Sequence, residues 1–564
     1  MNTQSERCPL TSSPRWAPVL LAGLAAIILL PGTGTMPLVD RDEPRFAQAT
    51  LEMMRRGEWV VPYFNEEYRF DKPVLIYWMM RVFYGAMGVH ELSARMPSVV
   101  SAVALAWVVL WMGRRWFSPE TGFLAGFGLL TCVQMFLHGR SAVADLPMVV
   151  SVVLAQLAVF ELLHAAPDPY PWRWFHVLCL SLGFGFLAKG PVTWVAPLLT
   201  LLIQRWVLWR KPLPWRMLKL HLAVPMALLI TAAWGIPALV KTHGEFLTVG
   251  IHTHLWKRGF DTFQGHGSFF LYYLVMALVS LYPWIALAGD GVAVLRRSWN
   301  EKNAFLLSWL LGTYVLFSFY MTKLPHYVLP AFPAFFLVIA QTRAPGFRPP
   351  AAARAWFWFA ILLLPAVAAV AAAAALTLRF SADYAGLRAA LLGGAGVVGG
   401  LAFVGILWRF RRFRLLLLPL LVVAAATREL AAGLRAVTPA IALRGLCERL
   451  PGETEHGFFR FTEPSLVFYT DRRWERLTTV EEANAFLARP GPRVLVTAVE
   501  EIRIEDYLEA LGSRWRGQEA RPVVRDYSED IARLDTTGYE PLDCPGINIA
   551  RACSVRVRAY RRSP

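Results

Sequence analysis

The chain reads as a polytopic α-helical membrane protein that ends in a water-exposed α/β domain. Three observations predict this. Hydrophobic residues fill 56 % of the 564 positions, the mean hydropathy is +0.42, and only 17 % of residues are charged, too few for a soluble chain of this length. Apolar runs of about 17–25 residues, long enough to cross ~30 Å of hydrocarbon, recur through the first three-quarters of the sequence. From Arg435 onward those runs shrink to strand length.

Taken in order, spans are predicted near 16–35, 93–113, 119–138, 142–163, 174–189, 191–209, 219–240, 268–289, 303–321, 325–341, 355–378, 386–408 and 413–434, about thirteen in all. Residues 1–434 then form the membrane domain and 435–564 the α/β domain. The first run has no small-residue cleavage site after it and reads as a retained anchor. The stretch 36–92 between the first two spans is long for a connection, roughly 55 residues. Within it, Pro44–Arg56 carries Phe46, Ala49, Thr50 and Met53 on one helical face. Val74–Met87 is too short to span, and its Trp and Tyr suit an interfacial helix. In the last domain, Arg493–Ala498 and Val555–Tyr560 read as strands, and Thr479–Leu487 and Ile504–Leu511 as helices. Cys8, Cys132 and Cys179 fit packing roles; Cys544 and Cys553 could close a small loop in an oxidising compartment, leaving Cys447 over.

The net charge of +17 would suggest nucleic acid in a soluble protein. Here much of it lies in short loops between apolar runs, which points to topology and anionic lipid and away from nucleic acid. One alternate set of loops holds Arg114 and Arg115, Arg173, the stretch from Arg205 to Lys219, Arg296, Arg297 and Lys302, Arg343 to Arg354, and Arg409 to Arg414. If these loops are cytoplasmic, the N-terminus is inside and the α/β domain outside. The opposite set holds Asp42, Asp145, Lys189, His252, His254, Lys323 and His326. Nearly all the unusual polar residues therefore fall on one face, where a site is expected.

Each of these residues also has an ordinary reading. The stretch Val39–Phe46 packs Asp40, Arg41, Asp42, Glu43 and Arg45 at the mouth of a span, where a solvated helix start would carry them too. Asp145 opens a span and could simply favour the helix dipole; paired with Asp42 it could serve as base and orienting group. Lys72 follows Tyr68, Arg69 and Asp71 at the start of an interfacial helix, suited either to a lipid phosphate or to ordinary snorkelling. The outer loop 241–267 offers Lys257 and Arg258 for phosphate, and His252 with His254, joined by Asp71 or Glu245, as a weak zinc set. Lys189 and the Lys323–Tyr327 turn add cations to the same face.

The segments Arg41–Ala47 (R-D-E-P-R-F-A), Phe70–Pro73 (F-D-K-P), Gly139–Pro147 (G-R-S-A-V-A-D-L-P), Leu187–Pro191 (L-A-K-G-P) and Lys323–Tyr327 (K-L-P-H-Y) together resemble the GT-C glycosyltransferases related to protein O-mannosyltransferases. More narrowly they resemble the lipid A aminoarabinose transferases. That resemblance implies an inner-membrane enzyme of lipopolysaccharide modification and polymyxin resistance. It would move 4-amino-4-deoxy-L-arabinose from undecaprenyl phosphate to a lipid A phosphate at the periplasmic face, with inversion. It implies Asp42 as the main catalytic carboxylate, Asp145 as its partner, and Lys72 with Lys189 or Arg258 as the grip on the donor phosphate. Arg45, Tyr68, Arg140, Lys257, Lys323, His326 and Tyr327 would complete the substrate contacts. The leaving group is a lipid monophosphate, so a clamp of cations can replace a metal and no cofactor is required, zinc being the alternative. Two other readings stay open: a transferase moving mannose or another polyprenyl-linked sugar onto protein or glycan, and a transporter of a lipid-linked sugar. A transporter would place its charges near the midplane on repeated halves, whereas here they gather at one edge without a repeat.

Overall fold

A computed structural model describes residues 15–250, 270–343, 346–377, 385–410, 412, 415–503, 505–506, 509, 513, 523–549, 551 and 553–562. Helices occupy every predicted span. They run α1 (Ala17–Leu29), α2 (Asp42–Arg55), α3 (Leu75–Met87), α4 (Glu91–Trp116), α5 (Pro119–Leu130), α6 (Val133–His138), α7 (Asp145–Leu163), α8 (Trp172–Lys189), α9 (Val192–Ile203) and α10 (Leu220–Lys241), followed by further helices to Ala436. Among the described residues six helices are long and apolar enough to cross a membrane unaided, and a seventh span forms if one bent pair is joined. That pair, Tyr272–Ser280 and Trp284–Arg297, turns through 109° where a straight span over 268–289 was predicted. The predicted span 119–138 is also broken. Thr131 ends α5 by bonding its hydroxyl back to the Phe127 carbonyl at 2.8 Å, and the Val133 amide leaves the helix to reach the Tyr282 carbonyl at 2.9 Å. Over 325–341, Pro325 and Pro330 withhold two helix donors, so a 3₁₀ stretch (Pro325–Ala331) precedes a short α-helix (Phe332–Ala340).

The first loop is built on the predicted amphipathic helix. α2 buries Phe46, Ala47, Ala49, Thr50 and Met53, and α3 lays Ile76, Tyr77, Met80 and Tyr84 beside them. Leu187 at the end of α8, Ala142 before α7 and Trp234 of α10 complete this core, so the loop is packed onto the bundle. Between α2 and α3 a hairpin pairs β1 (Tyr63–Phe64) with β2 (Glu67–Tyr68). Its two turn residues, Asn65 and Glu66, both have positive φ (55° and 70°), the geometry a two-residue hairpin turn demands. Glu52 of α2 holds that turn by accepting the Asn65 and Glu66 amides at 2.9 and 3.0 Å.

The loop is anchored by one buried ion pair. Arg95, on the first turns of α4 and 1 % exposed, donates to both Glu43 oxygens at 2.9 and 2.8 Å. It also donates to the Thr33, Met36 and Pro37 carbonyls at 2.7, 2.6 and 2.8 Å, gathering the chain that leaves α1. Glu43 in turn accepts the Ala142 amide at 2.6 Å. Five acceptors from two segments thereby surround one guanidinium, as a buried charge requires, and Glu43 ties in a third segment through Ala142.

After the last membrane helix, Leu417–Ala436, a mixed sheet forms in the order β4-β3-β5-β8-β7, with β6 (Arg525–Asp526) pairing β5 off that path. β3 (Glu455–Phe459), β4 (Trp474–Leu477) and β5 (Arg493–Arg503) are mutually parallel, joined by helices Pro464–Thr470 and Val480–Ala488. The second helix starts with a capping box in which Thr479 and Glu482 each satisfy the other's amide. β7 (Glu540–Asn548) and β8 (Cys553–Arg562) continue the sheet antiparallel. The suggested Cys544–Cys553 bridge does not form. The register sets Cys544 against Val557 and Cys553 against Asn548, both thiols are free, and Cys553 donates to Glu501 at 2.9 Å. Most of the predicted Ile504–Leu511 helix lies outside the described residues.

The sheet region sits directly on the first loop. Asp40 accepts the Ser465 amide and hydroxyl at 2.7 and 2.6 Å, the Leu38 amide donates to Tyr469 at 2.8 Å, and Arg55 makes a two-pronged pair with Asp471. Asn65 and Trp474 exchange two bonds of 2.8 and 2.9 Å.

Removing Glu43 leaves the Arg95 charge buried and unpaired, a change that costs about 3–5 kcal/mol. Glu43→Ala is therefore expected to lower the thermal unfolding midpoint of the detergent-solubilised protein by several degrees. An unchanged midpoint would show that the pair does not anchor the loop.

Candidate active site

The three carboxylates of the Val39–Phe46 stretch have separate fates. Asp40 faces Ser465, and Glu43 is enclosed by Arg95 and Ala142. Asp42, the first residue of α2, is exposed and has no hydrogen bond among the described residues. It lies within electrostatic reach of Arg45, Arg69 and Tyr77. Arg69 is buried, donates to the Tyr77 hydroxyl at 3.1 Å, pairs with Asp71 at 2.8 Å and stacks over Phe46 at 5.1 Å. Burial pushes the Tyr77 phenol up to about 12, so it keeps its proton. Arg45 is half-buried, close to Asp42, Asp71 and Glu463.

A second cluster gathers residues from four distant segments. Asp145, 7 % exposed at the start of α7, receives the ammonium of Lys189, the last residue of α8, and approaches His326 Nε2 at 3.4 Å. Gly190 ends α8 at φ +84° and so leaves Lys189 at the rim. The Lys189 ammonium also sits over the Tyr327 ring at 5.4 Å. His138, at the end of α6, lies against His326 with ring centroids 4.7 Å apart, and its Nδ1 is 2.9 Å from the Gln134 amide. Gln134 is held by the Ser280 hydroxyl at 3.0 Å. The Lys72 ammonium lies within electrostatic reach of His326 and so joins the first loop to this cluster. The Glu43–Ala142 bond, three residues before Asp145, seats the Asp42 turn beside the same rim.

Of the residues singled out in the sequence, the structure thus gathers Lys72, Asp145, Lys189, His326 and Tyr327, with Asp42 and Arg45 on the adjoining turn. Three others point elsewhere. Arg140 is buried and donates to the Pro31 carbonyl at 2.9 Å and to the Ile28 carbonyl, tying down the end of α1. Lys323 donates to the Tyr320 carbonyl at 2.7 Å. Tyr68 stacks on Tyr63 (4.9 Å) and Phe70 (5.9 Å) along the hairpin. His252, His254, Lys257 and Arg258 lie outside the described residues. Asp71, read as a metal ligand, is ion-paired with Arg69. The metal-ligand geometry falls instead on His138, Asp145 and His326, whose ligand atoms lie within 4.8 Å of one another, but Lys189 already neutralises the shared carboxylate. His138 was missed because one imidazole on a short helix carries no spacing signal; only folding brings it to His326.

Relatives and solved structures agree on the architecture. The family profile described as Dolichyl-phosphate-mannose-protein mannosyltransferase matches residues 71–236. A crystal structure of ArnT from Cupriavidus metallidurans bound to undecaprenyl phosphate superposes with a TM-score of 0.74, covering 97 % of this chain and 98 % of that one at 19 % identity. This chain has the GT-C fold. The archaeal oligosaccharyltransferase AglB from Archaeoglobus fulgidus shares the GT-C fold more distantly, with a TM-score of 0.51 at 11 % identity over 86 % of this chain and 69 % of that one. Among sequences, an undecaprenyl phosphate-alpha-4-amino-4-deoxy-L-arabinose arabinosyl transferase of Enterobacter sp. is 31 % identical over 342 residues. That match spans 58 % of this chain and 59 % of the relative's length.

One titration follows from the Asp40 junction. Burial, reinforced by nearby Glu463, raises its carboxyl from 3.8 to about 7, against the opposing pull of the Ser465 hydrogen bonds and Arg45. The folded protein therefore holds a proton that the unfolded chain has lost, and stability falls as pH rises from about 4 to about 7. Between pH 5 and pH 8 the wild type is expected to lose more thermal stability than Asp40→Asn. Parallel pH profiles for the two proteins would contradict this assignment.

Proposed function

We propose that this protein transfers 4-amino-4-deoxy-L-arabinose from undecaprenyl phosphate to a lipid A phosphate, at the periplasmic face of the bacterial inner membrane. The observation that carries the reading is the rim itself. An exposed carboxylate (Asp42) stands beside the Lys72 and Lys189 ammoniums and the His326 imidazole, at the foot of the first loop. The name of the 31 % identical relative supplies the sugar and carrier. The basic loops on the opposite set support an orientation with this rim outside, the N-terminus in the cytoplasm and residues 435–564 as a periplasmic domain.

In this mechanism the donor phosphate lies against Lys72 and Lys189, with Arg258 as a further contact, and His326 and Tyr327 line its approach. The acceptor is a phosphate already ionised at neutral pH, so it attacks the anomeric carbon without a base. The new C–O bond forms as the bond to the carrier phosphate breaks, the electron pair leaves with that phosphate, and the anomeric centre inverts. Asp42 faces the positive charge that develops on the ring and orients the 4-ammonium of the sugar. Asp145 acts through Lys189, fixing its ammonium where the leaving phosphate gains charge. The same ammonium stands at the carboxylate that a divalent ion would need, so in this reading the reaction requires no resident metal.

Purified protein in detergent, given the lipid-linked donor and lipid A with a chelator present, tests the reading by mass spectrometry of the lipid product. Lipid A should gain one amino-pentose. Asp42→Asn should slow transfer about 1,000-fold with donor binding retained, the scale of losing a group aimed at transition-state charge. Lys72→Ala should weaken donor binding about tenfold or more, the value of a charge-assisted hydrogen bond. Transfer only into sealed vesicles, or a product carrying a hexose, would overturn the assignment.

A further inference from the structure

A groove of ≈ 400 Å³ opens between helix Ala288–Arg297 and the first turn of helix Ala351–Thr377. Its walls are apolar and small: Gly289, Val292 and Ala293 face Ala353, and a Cβ on Gly289 would already meet Ala353 at 3.1 Å. Arg296 and Arg297 complete its lining. The groove lies at the level of the membrane surface, because the second helix begins a span at Ala351 and Val292 and Trp299 nearby are about half exposed (48 % and 44 %).

Arg296 and Arg297 have no carboxylate partner among the described residues, unlike two cations at the same end of the bundle. Arg409 is neutralised by Asp290, and Arg115 by Glu161. Arg297 stacks on Phe347 at 5.4 Å and donates to the Arg348 carbonyl at 3.0 Å, so it is oriented but keeps its full charge. Arg296 is exposed and has no ion pair or hydrogen bond among the described residues. No acidic residue lines the groove, and the sequence holds none from Arg343 to Ala382 while adding Arg348 and Arg354.

We propose that this groove binds one anionic phospholipid of the surrounding leaflet. The phosphodiester bridges Arg296 and Arg297, and an acyl chain lies along Val292, Ala293 and Ala353. An apolar slot that opens to the bilayer excludes a soluble anion's hydration shell but continues the hydrocarbon of a lipid. The unpaired guanidiniums supply charge-assisted bonds that a zwitterionic headgroup satisfies less well. The site stands apart from the rim that holds Asp42 and Asp145 and does not depend on the transfer reaction.

Native mass spectrometry of the delipidated full-length protein, titrated with phosphatidylglycerol or phosphatidylcholine, tests the site. One phosphatidylglycerol should be retained in preference to phosphatidylcholine, and millimolar inorganic phosphate should not displace it. Arg296→Ala with Arg297→Ala should weaken retention about tenfold or more. Ala293→Trp, which fills the slot and leaves both charges, should do the same, and an unchanged thermal midpoint would confirm that each variant is folded. Equal retention of phosphatidylcholine, displacement by inorganic phosphate, or unchanged retention in either variant overturns the proposal.

Discussion

The Glu43–Arg95 pair is the constraint on which the candidate site depends. One guanidinium, buried at the top of α4, binds three carbonyls of the chain that follows α1 and both oxygens of Glu43, the second residue of α2. The same carboxylate reaches the chain just before α7. Three segments that are remote in sequence are thus fixed to one another. Their junction decides where Asp42 points, since Asp42 is the neighbour of Glu43 and begins the helix that Glu43 pins. A buried ion pair of this kind contributes little net stability against an apolar alternative, but its geometry admits few arrangements. Here it sets the register of a loop that would otherwise have only apolar packing to locate it.

From that junction the electrostatics divide the polar residues into structural and available groups. Asp40, Glu43, Arg69, Asp71, Arg140 and Lys323 all hold hydrogen-bond or ion-pair partners inside the protein. Asp42 does not, and Lys72 and His326 stand where the first loop meets the Asp145–Lys189 pair. The Asp145–Lys189 contact is close to neutral overall. It therefore tolerates burial, yet presents an ammonium to whatever anion enters beside it. The sheet region adds a second fixed point, because Asp40, Asn65 and Arg55 of the first loop all bond to it.

Much of this was legible in the chain. Hydrophobic run length located the membrane helices, and the face of Phe46, Ala49, Thr50 and Met53 is the one that α2 buries. The alternation of basic loops placed Asp145, Lys189 and His326 together before any contact was known, and the structure brings them within ion-pair distance. What the sequence hid were features made only by folding. The 109° elbow in the 268–297 region arises where Ser280 and Trp284 flank a break, and hydropathy averages over such a turn. Arg140 looked like a substrate ligand because it precedes Asp145 on the outer face, but the carbonyls it binds belong to a span more than a hundred residues earlier. The contact of His138 with His326 likewise has no local signature.

The most direct measurement is a cryo-electron microscopy structure of the full-length protein with a non-transferable polyprenyl-phosphate sugar analogue. The account predicts the phosphate at Lys72 and Lys189, and the sugar ring within hydrogen-bonding reach of Asp42. A phosphate bound at the basic end of the bundle, or a sugar ring that Asp42 cannot touch, would contradict it.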